Sequence, residues 1–306
     1  MNSDSLITIV LPTYNGIRYL EQSLQSVVDQ TYPNWELILV DDCSTDTTPD
    51  ILAKWAKRDS RIRVLRNERN LRLPASLNRG FSEARGKFLT WTSDDNLYLP
   101  DALEKMLQCL LDHPQVGMVY SSSYDIDEKG TIVREVVAED PSELTTTNIV
   151  RACFLYRAEV RQKVGDYDTD FCLVEDWDYW IRIARHFPLM NLRPTLYQYR
   201  WHPNSLTTTK RDEVHRGVMR LLEKRLPDME WAGVTAVANG YLFVAIFAKS
   251  LGDYARMTKF FRAAFRQAPW LSLKTAITHF GAPFFRTRHD REQAQVLKNE
   301  QGNPTN

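Results

Sequence analysis

The chain has 306 residues, 43% hydrophobic and 25% charged, with 39 Lys and Arg balancing 39 Asp and Glu. That is ordinary globular composition, long enough for one large domain with a sizeable core plus an appendage. Zero net charge gives no global field to recruit a polyanion, so no nucleic-acid partner is expected. The balance is uneven, however. Residues 211–306 hold 15 basic and 9 acidic groups, a surplus of +6 that leaves residues 1–210 at −6. A basic tail faces either an anionic membrane or acidic partner, or simply water.

Cys43, Cys109, Cys153 and Cys172 form no CxxC pair, which argues against a zinc or redox site and fits a reducing compartment. MNSDSLITIV has neither the basic start nor the cleavage site of a signal peptide, and Leu242–Ala248 is too short to cross a bilayer. The expected location is cytoplasmic, at most peripheral at the inner face of the membrane.

In chain order, LITIVLP is a short β-rich run, and Asn15–Gly16 opens a helix with apolar residues Ile17, Leu20, Leu24, Val27 and Val28. Trp35–Val40 is a second apolar run, ended by Asp41–Asp42. Ser44, Thr45 and Asp46 offer N-cap chemistry for a helix from about Thr47 to Arg58. Ile62–Leu65 is a third strand, Pro74–Arg85 a helix stopped at Gly86, and Lys87–Thr92 a fourth strand. Pro100 opens a helix with stripe Leu103, Met106, Leu107, Leu110. Such alternation implies a parallel sheet covered by helices, and such sheets bind ligands beyond the carboxyl ends of their strands. Thr13–Asn15, Asp41–Ser44 and Thr92–Asn96 would then share one rim.

The pattern becomes α+β after Met118. Val116–Tyr120 reads as a strand, Asp125–Gly130 as a hairpin-like turn before Thr131–Val136, and Ile149–Tyr156 as an apolar run. Glu175–His186 is helical, with Trp177, Trp180, Ile181 and Ala184 on one side, and Leu192–Tyr199 is extended. From Glu213 to Phe280 the sequence is helical, with Gly252–Asp253 splitting a hairpin and Pro269–Trp270 starting a further helix.

The adjacent carboxylates in FLTWTSDDNLYLP (Phe88–Pro100) admit three readings: a solvated turn that caps the next helix, a site for a hard divalent cation, or a coupled acid/base pair. Taken with the other rim clusters, the cation reading gains.

PTYNG at Pro12–Gly16, QTYPNWELILVDDCSTD, FLTWTSDDNLYLP, Glu175–Asp176–Trp177–Asp178 and YRWHPNSLT from Tyr199 together resemble the family 2 glycosyltransferases, over about Leu6 to Thr209. Each motif alone is weak, but five in family order are specific. The resemblance implies an inverting, nucleotide-sugar-dependent enzyme of the α/β GT-A fold, a Rossmann-like mixed sheet flanked by helices, here with a C-terminal helical extension. It implies that Pro12, Thr13 and Tyr14 hold the nucleotide base, that Asp42 accepts a hydrogen bond from it, and that Arg72 touches the nucleotide. It places Asp94 at the ribose or metal, Asp95 on the metal, and Asp176 as the general base. The implied partners are a nucleotide-diphosphate sugar donor, taken as a UDP-sugar, and a glycan, lipid-linked or other hydroxyl acceptor; the implied cofactor is Mn²⁺ or Mg²⁺. The expected boundaries are a catalytic domain at 1–210 (nucleotide-binding half 1–115, acceptor-binding half 116–210), helices at 211–285 for membrane contact or homodimerisation, and a disordered tail at 286–306.

One departure stands out. Many members carry Asp-x-Asp-Asp, whereas here Thr92 takes the first position. That favours a competing reading, a catalytically degenerate nucleotide-binding protein, although Asp94, Asp95 and Asp176 argue for turnover. A dinucleotide oxidoreductase is disfavoured because the first turn lacks GxGxxG. Glu175 either orients the acceptor or favours the positive end of its helix, and His202 is either a metal ligand or a packed loop histidine. Asp178 should point away from Asp176, the tryptophans read as core before sugar platforms, and Asp41 reads as a turn stabiliser.

Overall fold

The computed structural model describes residues 5–273, which divide into two compact units between Gly233 and Val234. The first unit thus runs beyond the boundary expected at residue 210. The expected disordered tail at 286–306, and the end of the helical run at 274–285, lie outside the described residues.

The first half alternates as the hydrophobic pattern requires: β1 (Ile7–Thr13), α1 (Leu20–Val28), β2 (Trp35–Asp41), α2 (Thr48–Arg58), β3 (Ile62–Arg66), α3 (Leu73–Ser82), β4 (Phe88–Trp91), β5 (Leu97–Tyr98) and α4 (Ala102–Asp112). β1 and β2 are buried at every position, as expected of central strands covered on both faces. Ile7, Ile9, Leu11, Leu37 and Leu39 meet Leu20, Leu24 and Val27 of α1 and Leu103, Met106 and Leu110 of α4 in one core. Each such side chain contributes about 1.5–3 kcal/mol on full burial. Ile17 precedes α1 and is 47% exposed, so the stripe starts at Leu20. Helix α3 ends at Ser82, before the expected stop. Gly86 instead lets the chain pass tightly over β1, its N–H donating to Thr8 Oγ1, where a Cβ would meet Leu6 O at 2.7 Å.

The second half adds β6 (Met118–Ile126), β7 (Ile132–Val136), β8 (Phe154–Arg157), α5 (Ala158–Val164), α6 (Glu175–Ala184), β9 (Leu189–Arg200), α7 (Leu206–Thr209) and α8 (Arg211–Arg225). Among the described residues the strands form one sheet, ordered β3-β2-β1-β4-β8-β6-β9-β5, with β7 also on β6. β3, β2, β1 and β4 are parallel; β8 enters antiparallel between β4 and β6, and β9 runs parallel to β6. The sheet is therefore mixed, and the carboxyl ends of β1, β2, β4, β6 and β9 lie along one edge. Helix α6 returns the chain to the start of β9 at the opposite edge. Its ten residues span about 15 Å, which leaves its N-terminus toward the first edge.

Helix α6 buries Trp177, Trp180, Ile181 and also Asp178 and Tyr179. Asp178 accepts from Arg182 Nε and Arg225 Nε, each at 2.7 Å, which ties α8 to α6. This ion-pair triad and the contact of Gly217 with Val174 explain why α8 belongs to the first unit. In the second unit, α9 (Val234–Ser250) and α10 (Tyr254–Gln267) form a helical hairpin across Gly252, whose φ of +75° suits glycine.

Candidate active site

The edge where β1, β2 and β4 end is built from turns that hold one another. Asp42 N donates to Thr13 O at 2.9 Å, Asn15 N to Ser44 Oγ at 3.0 Å, and Gly16 N to Thr48 Oγ1 at 3.1 Å. Ser44 is thus spent on the first turn, while Asp46 bonds Thr48 N at the start of α2. Pro12 and Thr13 are buried; Tyr14 beside them is 49% exposed and free to meet a ligand. Asp41 stabilises its turn, accepting from Ser44 N at 2.9 Å and pairing with Arg66 at 3.0 Å.

Asp42 is buried. Its Oδ1 accepts from Asn67 Nδ2 at 2.6 Å and Leu71 N at 2.8 Å, and its Oδ2 accepts from Arg72 N at 2.9 Å. The carboxylate therefore pins the loop before α3 and retains acceptor capacity on Oδ2. Arg72, at φ +68°, is exposed, and its guanidinium reaches Cys172 just before α6. It thereby links the loop before α3 to the segment before α6.

Asp94 Oδ2 accepts from Thr13 Oγ1 at 2.5 Å, which joins the ends of β1 and β4. Burial, and then the charge of Asp95, push the Asp94 carboxyl up to about 7. A Cβ on Gly16 would lie 2.1 Å from Asp94 Oδ2, so only glycine leaves room for that carboxylate. Thr92 is buried with its hydroxyl 2.6 Å from Tyr197 OH; at the position where an Asp is common, its side chain serves the core.

Asp95 Oδ2 lies 3.0 Å from His202 Nε2, while Asp95 Oδ1 and His202 Nδ1 are buried with no hydrogen-bond partner. Such orphaned atoms are costly and suit a ligand site. Among the described residues no group of three or more His, Cys, Asp or Glu assembles a metal cage. A carboxylate plus an imidazole is nonetheless a fitting donor set for a cation that shares its shell with substrate phosphates.

Arg200, at the end of β9, has a role that sequence reasoning missed. It is buried, with Nε donating to Asp95 O at 2.9 Å, Nη1 to Asp127 O at 3.3 Å and Glu128 O at 3.2 Å, and Nη2 to Gln22 Oε1 at 2.8 Å. Its guanidinium lies 4.5 Å from the centroid of Tyr19, whose ring also neighbours His202. One cation thus fixes the Asp95 turn, the β6–β7 turn and α1.

Asp176, half-buried at the start of α6, accepts from Asn148 Nδ2 at 2.7 Å through Oδ2 and from Trp177 N at 2.7 Å through Oδ1. Burial raises its carboxyl to about 6, against the pull of those two donors. Glu175 is 3% exposed with Oε2 unpaired; burial and the neighbouring Asp176 raise it to about 8. Near α6, Tyr167 connects this region to the end of β4, its OH accepting from Trp91 Nε1 at 3.0 Å. Trp91, Trp177 and Trp180 are core, as expected, whereas Trp201 packs edge-on against Tyr199.

A family model described as glycosyl transferase family 2 matches residues 8–174, more than half of the chain. Escherichia coli WfgD, a UDP-Glc:alpha-D-GlcNAc-diphosphoundecaprenol beta-1,3-glucosyltransferase, is 28% identical over 218 residues, 70% of this chain and 84% of that protein. The crystal structure of S. aureus TarS 1–349 in complex with UDP-GlcNAc covers 85% of this chain and 91% of that one, at TM-score 0.61 and 14% identity. The mannosyltransferase PcManGT of Pyrobaculum calidifontis, in complex with GDP-Man and Mn²⁺, covers 96% and 79%, at TM-score 0.56 and 18% identity. The mixed sheet with flanking helices is the GT-A fold of such transferases, and the chain belongs to glycosyl transferase family 2.

Proposed function

We propose that this glycosyltransferase moves a sugar from a UDP-sugar to an acceptor hydroxyl with inversion, using Asp176 as general base and a divalent cation on the leaving diphosphate. The observation that carries the reading is the pair of acidic stations toward one sheet edge: Asp95 beside His202, and Asp176 held by Asn148. Residues 1–115 would take the donor and 116–210 the acceptor. WfgD names a UDP-sugar donor and a diphospholipid-linked acceptor, and both are proposed here as classes.

Thr13, Tyr14 and Asp42 would receive the base, Arg72 the nucleotide, and Asp94 the ribose. Asp95 and His202 would hold Mn²⁺ or Mg²⁺, which when bound supplies Lewis-acid charge for the departing phosphate. Two neighbouring carboxylates would otherwise repel the diphosphate. Asp176 would accept the acceptor hydroxyl's proton as that oxygen attacks the anomeric carbon. With the carboxyl at about 6, it is ionised at neutral pH yet still basic. Glu175, kept protonated in its buried place, would donate a hydrogen bond that orients the acceptor.

The test is turnover of a UDP-sugar panel with a diphospholipid-linked acceptor, with and without Mn²⁺. Asp176→Asn should bind UDP normally and lose about 10²–10⁴-fold in rate. Asp95→Asn should lose its response to Mn²⁺. Undiminished turnover in Asp176→Asn, or a product that retains the donor's anomeric configuration, would sink the assignment.

A further inference from the structure

The geometry points to a docking surface for an anionic lipid bilayer on the exposed side of α10 and the helical turn that follows it. Within the second unit, α10 buries Phe260 and Ala264, and the Phe260 ring stacks on Tyr241 of α9. The side next to it carries exposed aromatic rings. Tyr254 is 64% exposed and Phe265 40%. Eleven residues separate them, about three helical turns, so they share one side of the cylinder. Beyond the end of α10, Trp270 is 85% exposed and Leu273 42%; ahead of its start, Leu251 is 60% exposed. Exposed large apolar side chains thus occur on α10 and just before and after it.

The charge pattern decides what covers them. From Tyr254 to Leu273 the chain has Arg256, Lys259, Arg262 and Arg266 and no Asp or Glu. At about 3.6 residues per turn, Arg262, Arg266 and Lys259 follow the Tyr254–Phe265 edge around the helix, opposite the buried side. An apolar edge of aromatics and leucines beside a basic stripe matches an interface-lying helix, with rings at headgroup depth and cations over anionic phosphates. A two-fold contact between copies of this face would bring the basic stripes together with no carboxylates of α10 to offset them. A nucleic acid would use the cations but gain little from Leu251 and Leu273. Among the described residues no helix is long and apolar enough to cross a membrane, so the mode is lying on the surface and not spanning.

The full chain should float with vesicles containing phosphatidylglycerol and stay behind with phosphatidylcholine alone, and added salt should weaken the binding. The double variants Phe265→Ser/Trp270→Ser and Arg262→Glu/Arg266→Glu should each lose at least about tenfold in partitioning, while Val133→Ser, in the first unit, behaves as wild type. All four substituted side chains are exposed, so thermal melts of the variants should overlay the parent; if the aromatic pair alone fails this, the charge-reversal pair decides. The proposal is overturned if the full chain does not float, if both double variants float as the parent does, or if light scattering shows a dimer that the aromatic substitutions dissociate. Flotation needs no sugar transfer, so this outcome is independent of the assignment of Asp176 and Asp95.

Discussion

Asn148 donates its side-chain amide to Asp176 Oδ2 at 2.7 Å across 28 positions of chain. A donor to the ionised form lowers a carboxyl's pKa, and here it opposes the upward push of burial. In Asn148→Ala the Asp176 carboxyl should rise above its value of about 6. The acid limb of the kcat/KM profile should then move to higher pH, with the plateau less affected. An unmoved limb would mean that Asp176 is not the group whose ionisation controls the rate.

Glu175 makes a second pH test, one of stability. Its carboxyl is raised from 4.5 to about 8, so the folded chain holds a proton that the unfolded chain releases across that window. The stabilisation is fully present below about 4.5 and is lost as pH rises through about 8; the adjacent Asp176 contributes with the same sign. Glu175→Gln cannot titrate, so its melting temperature should fall less steeply between these limits than that of the parent. Parallel curves for the two proteins would refute the buried-acid account.

Arg200 is a positioning residue for Asp95, since it binds the backbone carbonyl and not the carboxylate. A lysine cannot offer the same planar fork to acceptors on three elements. Arg200→Lys should weaken Mn²⁺ binding to the UDP-loaded protein by about 10–100-fold, as loss of an outer partner of a metal ligand typically does. UDP affinity without metal should change much less. Calorimetry of both ligands separates this from general unfolding, which would weaken both alike.

Asp178 and Asp176 are two positions apart on α6 but belong to different arguments. Asp178 is buried between Arg182 and Arg225. Asp178→Asn leaves two guanidinium groups short of a counter-charge and should cost about 3–5 kcal/mol in urea unfolding. The rate–pH profile of the folded variant should keep its acid limb. A shifted limb with unchanged stability would instead make Asp178 the base.

What could be read in advance was whatever repeats or clusters locally. The buried β1 and β2, the α4 stripe of Leu103, Met106, Leu107 and Leu110, and the polar turns after β1, β2 and β4 follow from apolar periodicity and from how parallel strands end. The entry of β8 between β4 and β6 was not legible, because antiparallel insertion leaves no period in Phe154–Arg157. The apolar run Ile149–Tyr156 becomes strand only from Phe154; before it the chain is irregular, with Arg151 at φ +56° and its guanidinium on Asp125. Arg200 and Asn148 were invisible for a similar reason. Their partners stand as far as 178 and 28 residues away, and side-chain pairing over such separations has no signature in a single sequence.

The Arg200 fork also bears on how this enzyme can be re-engineered. Two of its four oxygen anchors, the carbonyls of Asp127 and Glu128, belong to the β6–β7 turn. A chimera that imports a foreign segment there changes the footing of the Asp95 turn, even though every motif residue is retained. Grafts confined to residues 137–147 leave that footing and the Asn148–Asp176 hydrogen bond whole.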